Sequence, residues 1–253
     1  VTSLEIVLAV TAVAAGCTLQ RVSGMGVGLV VSPVLALLIG PAVGVWLTNV
    51  VSIVSALVIW RSMGGQVDRE RLKVIIPCAV LGAVPAALVV RFLPSAWLQI
   101  VVGGILVLAL VASSLAAAAG RMPAARGRFA AGVAGVAGGF CNTTAGVAGP
   151  SLVVYSRLSR WDHATFTSSL QPTFFVMGAL SAGVKLGGGA VRVDQIPDLW
   201  VLAVLAATVV AIVPLASRFA RRVPSSSARR LALAVAWAGA LAAVVRGVLE
   251  LVG

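Results

Sequence analysis

The stretch from Phe129 to Leu158 constrains the fold most. It is apolar enough to lie in a membrane, yet Gly138, Gly139, Asn142, Thr143, Thr144, Gly146 and Pro150 interrupt it midway. A helix from Phe129 to Cys141 would be about 20 Å long at ~1.5 Å per residue. A bilayer's hydrocarbon core is about 30 Å thick. The piece from Ala145 to Leu158 is equally short. Non-helical backbone at membrane depth is tolerated only where it is buried in protein or lines a cavity. The sequence therefore predicts two half-helices that meet at Asn142, Thr143 and Thr144 inside a membrane protein.

Composition supports that solvent. The chain is 60 % hydrophobic and 10 % charged, whereas a soluble domain carries roughly 25 % charged residues. The expected class is an all-α polytopic membrane protein. The net charge of +12 sits in short loops between apolar runs, where basic residues set topology. No nucleic-acid partner is expected. Cys17, Cys78 and Cys141 lie in apolar segments without paired spacing, and His163 is the single histidine. Disulfides, a metal framework and a cofactor are not expected.

The apolar runs fall into two similar halves. Residues 1–120 hold an interrupted segment at 4–39 and spans at 43–60, 74–93 and 96–119. Residues 121–253 hold one at 129–158 and spans at 164–186, 198–219 and 231–252. Pro33 falls on Pro150, Thr48 and Asn49 on Ser168 and Ser169, Val67 and Asp68 on Val193 and Asp194, and Pro85 on Pro214. The matches keep their order, which predicts a duplication.

Charge sets the relative orientation of the copies. The loop after the third segment holds four basic residues in the first half (Arg61, Arg69, Arg71, Lys73) and two in the second (Lys185, Arg192). In the following loop the bias reverses, with Arg91 alone against Arg218, Arg221, Arg222, Arg229 and Arg230. Equivalent loops are therefore expected on opposite sides. The assignment puts fourteen basic residues in the cytoplasm and four outside, with Arg21 at membrane depth. Each half then crosses an odd number of times, as one re-entrant hairpin plus three spans does and as five crossings would; the short pieces favour the hairpin. Both termini come out non-cytoplasmic, in the cell (inner) membrane. Inverted repeats with paired broken helices are a transporter signature, with the substrate site near the midplane.

The order of these features resembles the TauE/SafE (TSUP) family of sulfite and organosulfonate exporters. The resemblance rests on two copies of one pattern. A glycine-rich hairpin leads into Pro and an apolar run: Gly24, Gly26, Gly28 and Pro33 in one copy, Gly138, Gly139, Gly146, Gly149 and Pro150 in the other. A small-polar patch follows, Thr48 and Asn49 or Thr167, Ser168 and Ser169, then a loop ending in Val-Asp. The resemblance covers nearly the whole chain. It implies a secondary transporter that exports a small sulfur-containing or carboxylate anion (sulfite, sulfoacetate or another organosulfonate) by alternating access.

The half-helices would offer free N–H groups and partial positive charge to such an anion. Asn142, Thr143 and Thr144 would add side-chain donors in one hairpin, and Gln20, Arg21, Ser23 and Gly24 form the counterpart in the other. Asn49, Ser169 and Gln171 sit on the next span of each half and should face the interior. For these residues two readings stay open: substrate contacts, or caps and interhelical hydrogen bonds. Arg21 is either an intramembrane charge that pairs with the anion or a side chain reaching the interface. Lys185 is expected to snorkel, His163 to lie in a solvated turn, and Trp46, Trp60, Trp97, Trp161 and Trp200 to anchor the interfaces.

None of the seven acids is expected at membrane depth, so the coupling ion, proton or sodium, stays open. The expected partners are the small anion, that ion and the bilayer; the sequence sets no oligomeric state. A passive anion channel and a non-transporting scaffold are the alternatives. No enzyme is expected: the chain lacks G-x-S-x-G and H-E-x-x-H motifs.

Overall fold

In the computed structural model, residues 2–24, 26–118, 127–219 and 225–252 are described. The described residues form ten α-helices: α1 (Ser3–Ser23), α2 (Val27–Ile39), α3 (Pro41–Ser62), α4 (Arg69–Phe92), α5 (Ser95–Ala118), α6 (Arg128–Ala145), α7 (Gly149–Leu158), α8 (His163–Gly187), α9 (Leu199–Phe219) and α10 (Ser225–Val252). A 3-10 turn at Val193–Gln195 joins α8 to α9. No strand occurs among the described residues.

Among the described residues, six helices are long and apolar enough to cross a membrane: α1, α3, α4, α5, α9 and α10. The chain is a multi-pass, all-α membrane protein. Helix α8 has 25 residues, ample length for a crossing, but is more polar. It buries Ser169, Gln171, Thr173, Ser181 and Lys185, so its polar groups face protein rather than lipid.

The helix ends explain themselves chemically. Thr2 and Glu5 form a capping box at the start of α1. Asp68 accepts from Arg71 N–H at 3.0 Å at the start of α4, and Asp162 from Thr165 N–H at 3.0 Å at the start of α8. These satisfy N–H groups that have no partner within their helix. At α2 and α7 the residue before the helix, Gly26 or Ala148, provides no side-chain cap.

The breaks fall later than the sequence suggests. Helix α1 continues through Gln20 and Arg21, which are good helix formers, and ends at Gly24 with φ 81°. Its 21 residues span ~31 Å at ~1.5 Å per residue, so the first piece is a full-length helix. Likewise Asn142, Thr143 and Thr144 belong to the last turn of α6, and Gly146 at φ 72° ends it. Asn142 and Thr143 stay helical with their side chains bonded to α8 instead of competing for local backbone, and Thr144 bonds back to the Phe140 carbonyl one turn earlier in α6. Left-handed backbone favours glycine, so the break centres on Gly146–Ala148.

Packing runs across the chain's midpoint. Helix α6 lies along α4 and α1 along α9; α3 packs on α8, α5 on α10, α2 on α10 and α7 on α5. The α4–α6 contact is backbone-close. A Cβ on Gly82 would overlap the Val136 carbonyl oxygen, and one on Gly139 the Ala79 carbonyl oxygen. Small residues permit such approach in membrane helices. Arg91 donates to the Gly188 carbonyl at 2.9 Å, tying the ends of α4 and α8 to one face. Arg246 donates to the Leu37 carbonyl, bringing the ends of α2 and α10 to each other.

Candidate functional site

The two breaks meet. A Cβ on Gly28, in the first turn of α2, would overlap the carbonyl oxygen of Gly146. The Ser32 hydroxyl donates to the Ala145 carbonyl. Glycine at position 28 is therefore required by close approach rather than by dihedral angle. Between the breaks lies a narrow cavity lined by Gln20, Gly26, Gly28, Ser52, Asn142, Phe174 and the backbone of Gly146–Pro150. Its free volume is ≈ 20 Å³, room for about one water molecule, which needs roughly 10–15 Å³ on the same measure.

Two of the sequence-selected residues, Gln20 and Asn142, line this cavity, and Gln171 and Thr143 are joined to them through hydrogen bonds. The Gln20 side chain accepts from Val27 N–H at 3.2 Å, capping α2 from the preceding helix, and donates to Gln171 Oε1 at 3.2 Å. That chain links α1, α2 and α8, and both glutamines are buried. Asn142 lines the opposite wall. Its Nδ2 donates to the Met177 carbonyl at 3.0 Å and to Ser181 Oγ at 2.9 Å. Thr143 Oγ1 shares a 2.8 Å hydrogen bond with the same Ser181 hydroxyl.

The other selected residues have different surroundings. Thr144 bonds back to the Phe140 carbonyl of its own helix at 2.7 Å. Arg21 is half-buried, and its Nε donates to Ser217 Oγ of α9 at 2.7 Å. Its guanidinium therefore faces α9. The Ser23 side chain lies outside the described set. Gly24 is the left-handed cap of α1, its N–H donating to the Gln20 carbonyl at 2.8 Å. Ser169 Oγ accepts from Asp68 N–H at 2.9 Å, so it holds the α3–α4 loop. Asn49 is fully buried against α8, and both its amide atoms lack a hydrogen-bond partner among the described residues.

Two residues were missed by sequence reasoning. Ser181 receives both Asn142 and Thr143. Lys185 is 0 % exposed, and its Nζ has no hydrogen-bond partner among the described residues. The snorkelling expectation fails there: the residues that follow fold back, with Ala190 N–H and Val191 N–H both donating to the Lys185 carbonyl, and protein covers the helix end. Met177, Ser181 and Lys185 are each four residues apart and all are buried, so they share one face of α8. That spacing was the available signal. Lys185 thus stands one turn beyond the Asn142–Thr143–Ser181 cluster. None of the seven acids is buried, so the amine is not offset by a buried carboxylate.

The five tryptophans expected at the interfaces have different surroundings. Trp60, Trp97 and Trp200 are exposed. Trp46 is buried and donates to the Ala182 carbonyl at 3.3 Å, and Trp161 packs between Tyr155 and Phe166.

Comparison with known proteins agrees with these features. The family described as Sulfite exporter TauE/SafE matches residues 8–243. No curated protein and no solved structure matches the chain. The family match spans nearly the whole chain and every helix around the paired breaks: this protein belongs to the TauE/SafE family, membrane transporters of the sulfite-exporter type.

Proposed function

We propose that the chain exports a small sulfur-containing or carboxylate anion, such as sulfite or sulfoacetate, by alternating access between two inverted repeats, residues 1–120 and 121–253. The observation that carries this reading is that α2 and α7 both begin at one cavity, and that neither Gly26 nor Ala148 caps its helix. Free N–H groups and the positive ends of two helices then point at the same space, which suits an anion. Gln20 and Asn142 contribute side-chain donors, and the buried Lys185 amine, one turn beyond Ser181 on α8, is a group that an anion passing along that face can pair with.

Packing supports the repeat. The pairs across the midpoint come in matched sets: α1 on α9 with α6 on α4, and α2 on α10 with α7 on α5. The cavity's small size favours a carrier with an occluded state over a continuously open channel. In this reading the cytoplasmic face carries Arg61, Arg69, Arg71, Arg128 and Arg160, and the termini lie outside.

The test is flux in proteoliposomes. Saturable transport of sulfite or sulfoacetate with counterflow is the expected result. Absence of flux across sulfite, organosulfonates and small carboxylates would overturn the reading. Flux that does not saturate and shows no counterflow would select a channel instead.

A further inference from the structure

A second, larger recess lies at the face where α4 and α6 begin and α7 ends. It has a volume of ≈ 490 Å³ and is lined by Arg71, Arg128, Arg160, Tyr155, Ser159 and Glu70, among others. Three guanidinium groups thus surround one space. The single lining acid, Glu70, is already paired with Lys73 at 2.6 Å. Arg71 is held rigidly: it pairs with Asp68 at 3.3 Å, donates to Ser159 Oγ at 3.3 Å and lies 4.6 Å from the centre of the Trp161 ring. The lining therefore carries three cations against one acid, and neither Arg128 nor Arg160 is held in an ion pair among the described residues.

Arg128 also lines a different space. An apolar groove of ≈ 810 Å³ runs between α4 and α6, bounded by Leu81, Pro85, Phe129, Val133, Val136 and Phe140, among others. Gly82 and Gly132 also line it. The α6 residues recur every three or four positions from Phe129 to Phe140, so the groove follows one helix face. It descends ~16 Å at ~1.5 Å per residue. Phe129, Val133 and Leu81 are more than half exposed, which suits a lipid-facing wall. A basic recess and an apolar groove thus share Arg128.

We propose that the two spaces together bind one anionic phospholipid, with its phosphate among Arg71, Arg128 and Arg160 and an acyl chain along the α4–α6 groove. Charge complementarity selects the anionic headgroup. Guanidinium groups bind phosphate oxygens by paired, charge-assisted hydrogen bonds. The joined groove selects a lipid over free phosphate. The proposal stands independently of the transported substrate.

The test compares thermal unfolding of the full chain in phosphatidylcholine nanodiscs with and without phosphatidylglycerol. Binding to the folded state raises the midpoint, so phosphatidylglycerol is expected to raise it for the native protein. The rise should be lost in Arg128→Gln/Arg160→Gln and in Val133→Trp, which fills the groove. It should persist in Arg61→Gln/Arg69→Gln, which removes equal charge elsewhere on the same face. Inorganic phosphate in pure phosphatidylcholine should not reproduce it. No rise in the native protein, or an undiminished rise in Arg128→Gln/Arg160→Gln, overturns the proposal. So does a rise reproduced by inorganic phosphate and kept by Val133→Trp, which assigns the recess to a free anion. If the double variant fails to fold, native mass spectrometry of the unmutated protein decides. Preferential retention of phosphatidylglycerol supports the site, and equal retention of both lipids overturns it.

Discussion

Lys185 and Asn49 are buried polar side chains whose end groups have no partner among the described residues. Burying such groups unpaired is costly, most of all for a charge, and natural membrane proteins keep intramembrane cations mainly for function. Lys185→Met should therefore abolish sulfite flux in proteoliposomes while leaving the thermal midpoint equal or higher, because no protein hydrogen bond is broken. A fall in midpoint with flux retained would mark the lysine as structural. Asn142→Ala acts differently. It removes two hydrogen bonds, so a loss of about 1–3 kcal/mol in stability is expected, read by denaturant or thermal unfolding. Arg21→Ala should leave flux near that of the native protein, since its guanidinium bonds to Ser217 on α9. Gln20, Asn142 and Gln171 were legible in the sequence because a polar side chain in an apolar run must face protein. Lys185 was not, because a lysine at the end of an apolar run looks the same whether it reaches water or is folded over by Ala190 and Val191.

At the scale of elements, the hairpins depend on glycine where backbone meets backbone. Gly28→Ala places a methyl group on the Gly146 carbonyl. Neither partner is a side chain that can rotate away, so the breaks must separate. Overpacking of this kind typically costs about 1–3 kcal/mol. Both a lower thermal midpoint and reduced flux are expected for Gly28→Ala, whereas Gly104→Ala, which meets nothing within 4 Å, should change neither. Each interrupted segment was readable from its glycines, but the residue at which each helix ends was not. Asn142, Thr143 and Thr144 resemble a loop in sequence. Asn142 and Thr143 stay helical with Ser181 and Met177 as partners that only the folded chain brings near, while Thr144 bonds back within its own helix.

For the whole molecule, charge asymmetry was the strongest sequence signal, because it needs no knowledge of packing. It makes a direct topological prediction. With Cys17, Cys78 and Cys141 replaced, a cysteine at Arg192 should react with a membrane-impermeant maleimide from outside intact cells. A cysteine at Arg69 should react only after permeabilisation. The reverse pattern would invert the orientation and place both termini in the cytoplasm.

The packing of α1 on α9 also has a consequence in time. On the ribosome the chain emerges from its N-terminus, and 176 residues separate Ser23 from Leu199 (199 minus 23). At about 5–20 residues per second, α1 waits on the order of ten to thirty seconds for its partner to be synthesised. During that interval Gln20 and Arg21 lack Gln171 and Ser217, so α1 needs a temporary host. Stalled nascent chains ending before α9 should therefore cross-link through α1 to the insertion machinery, and chains that include α9 should be released from it.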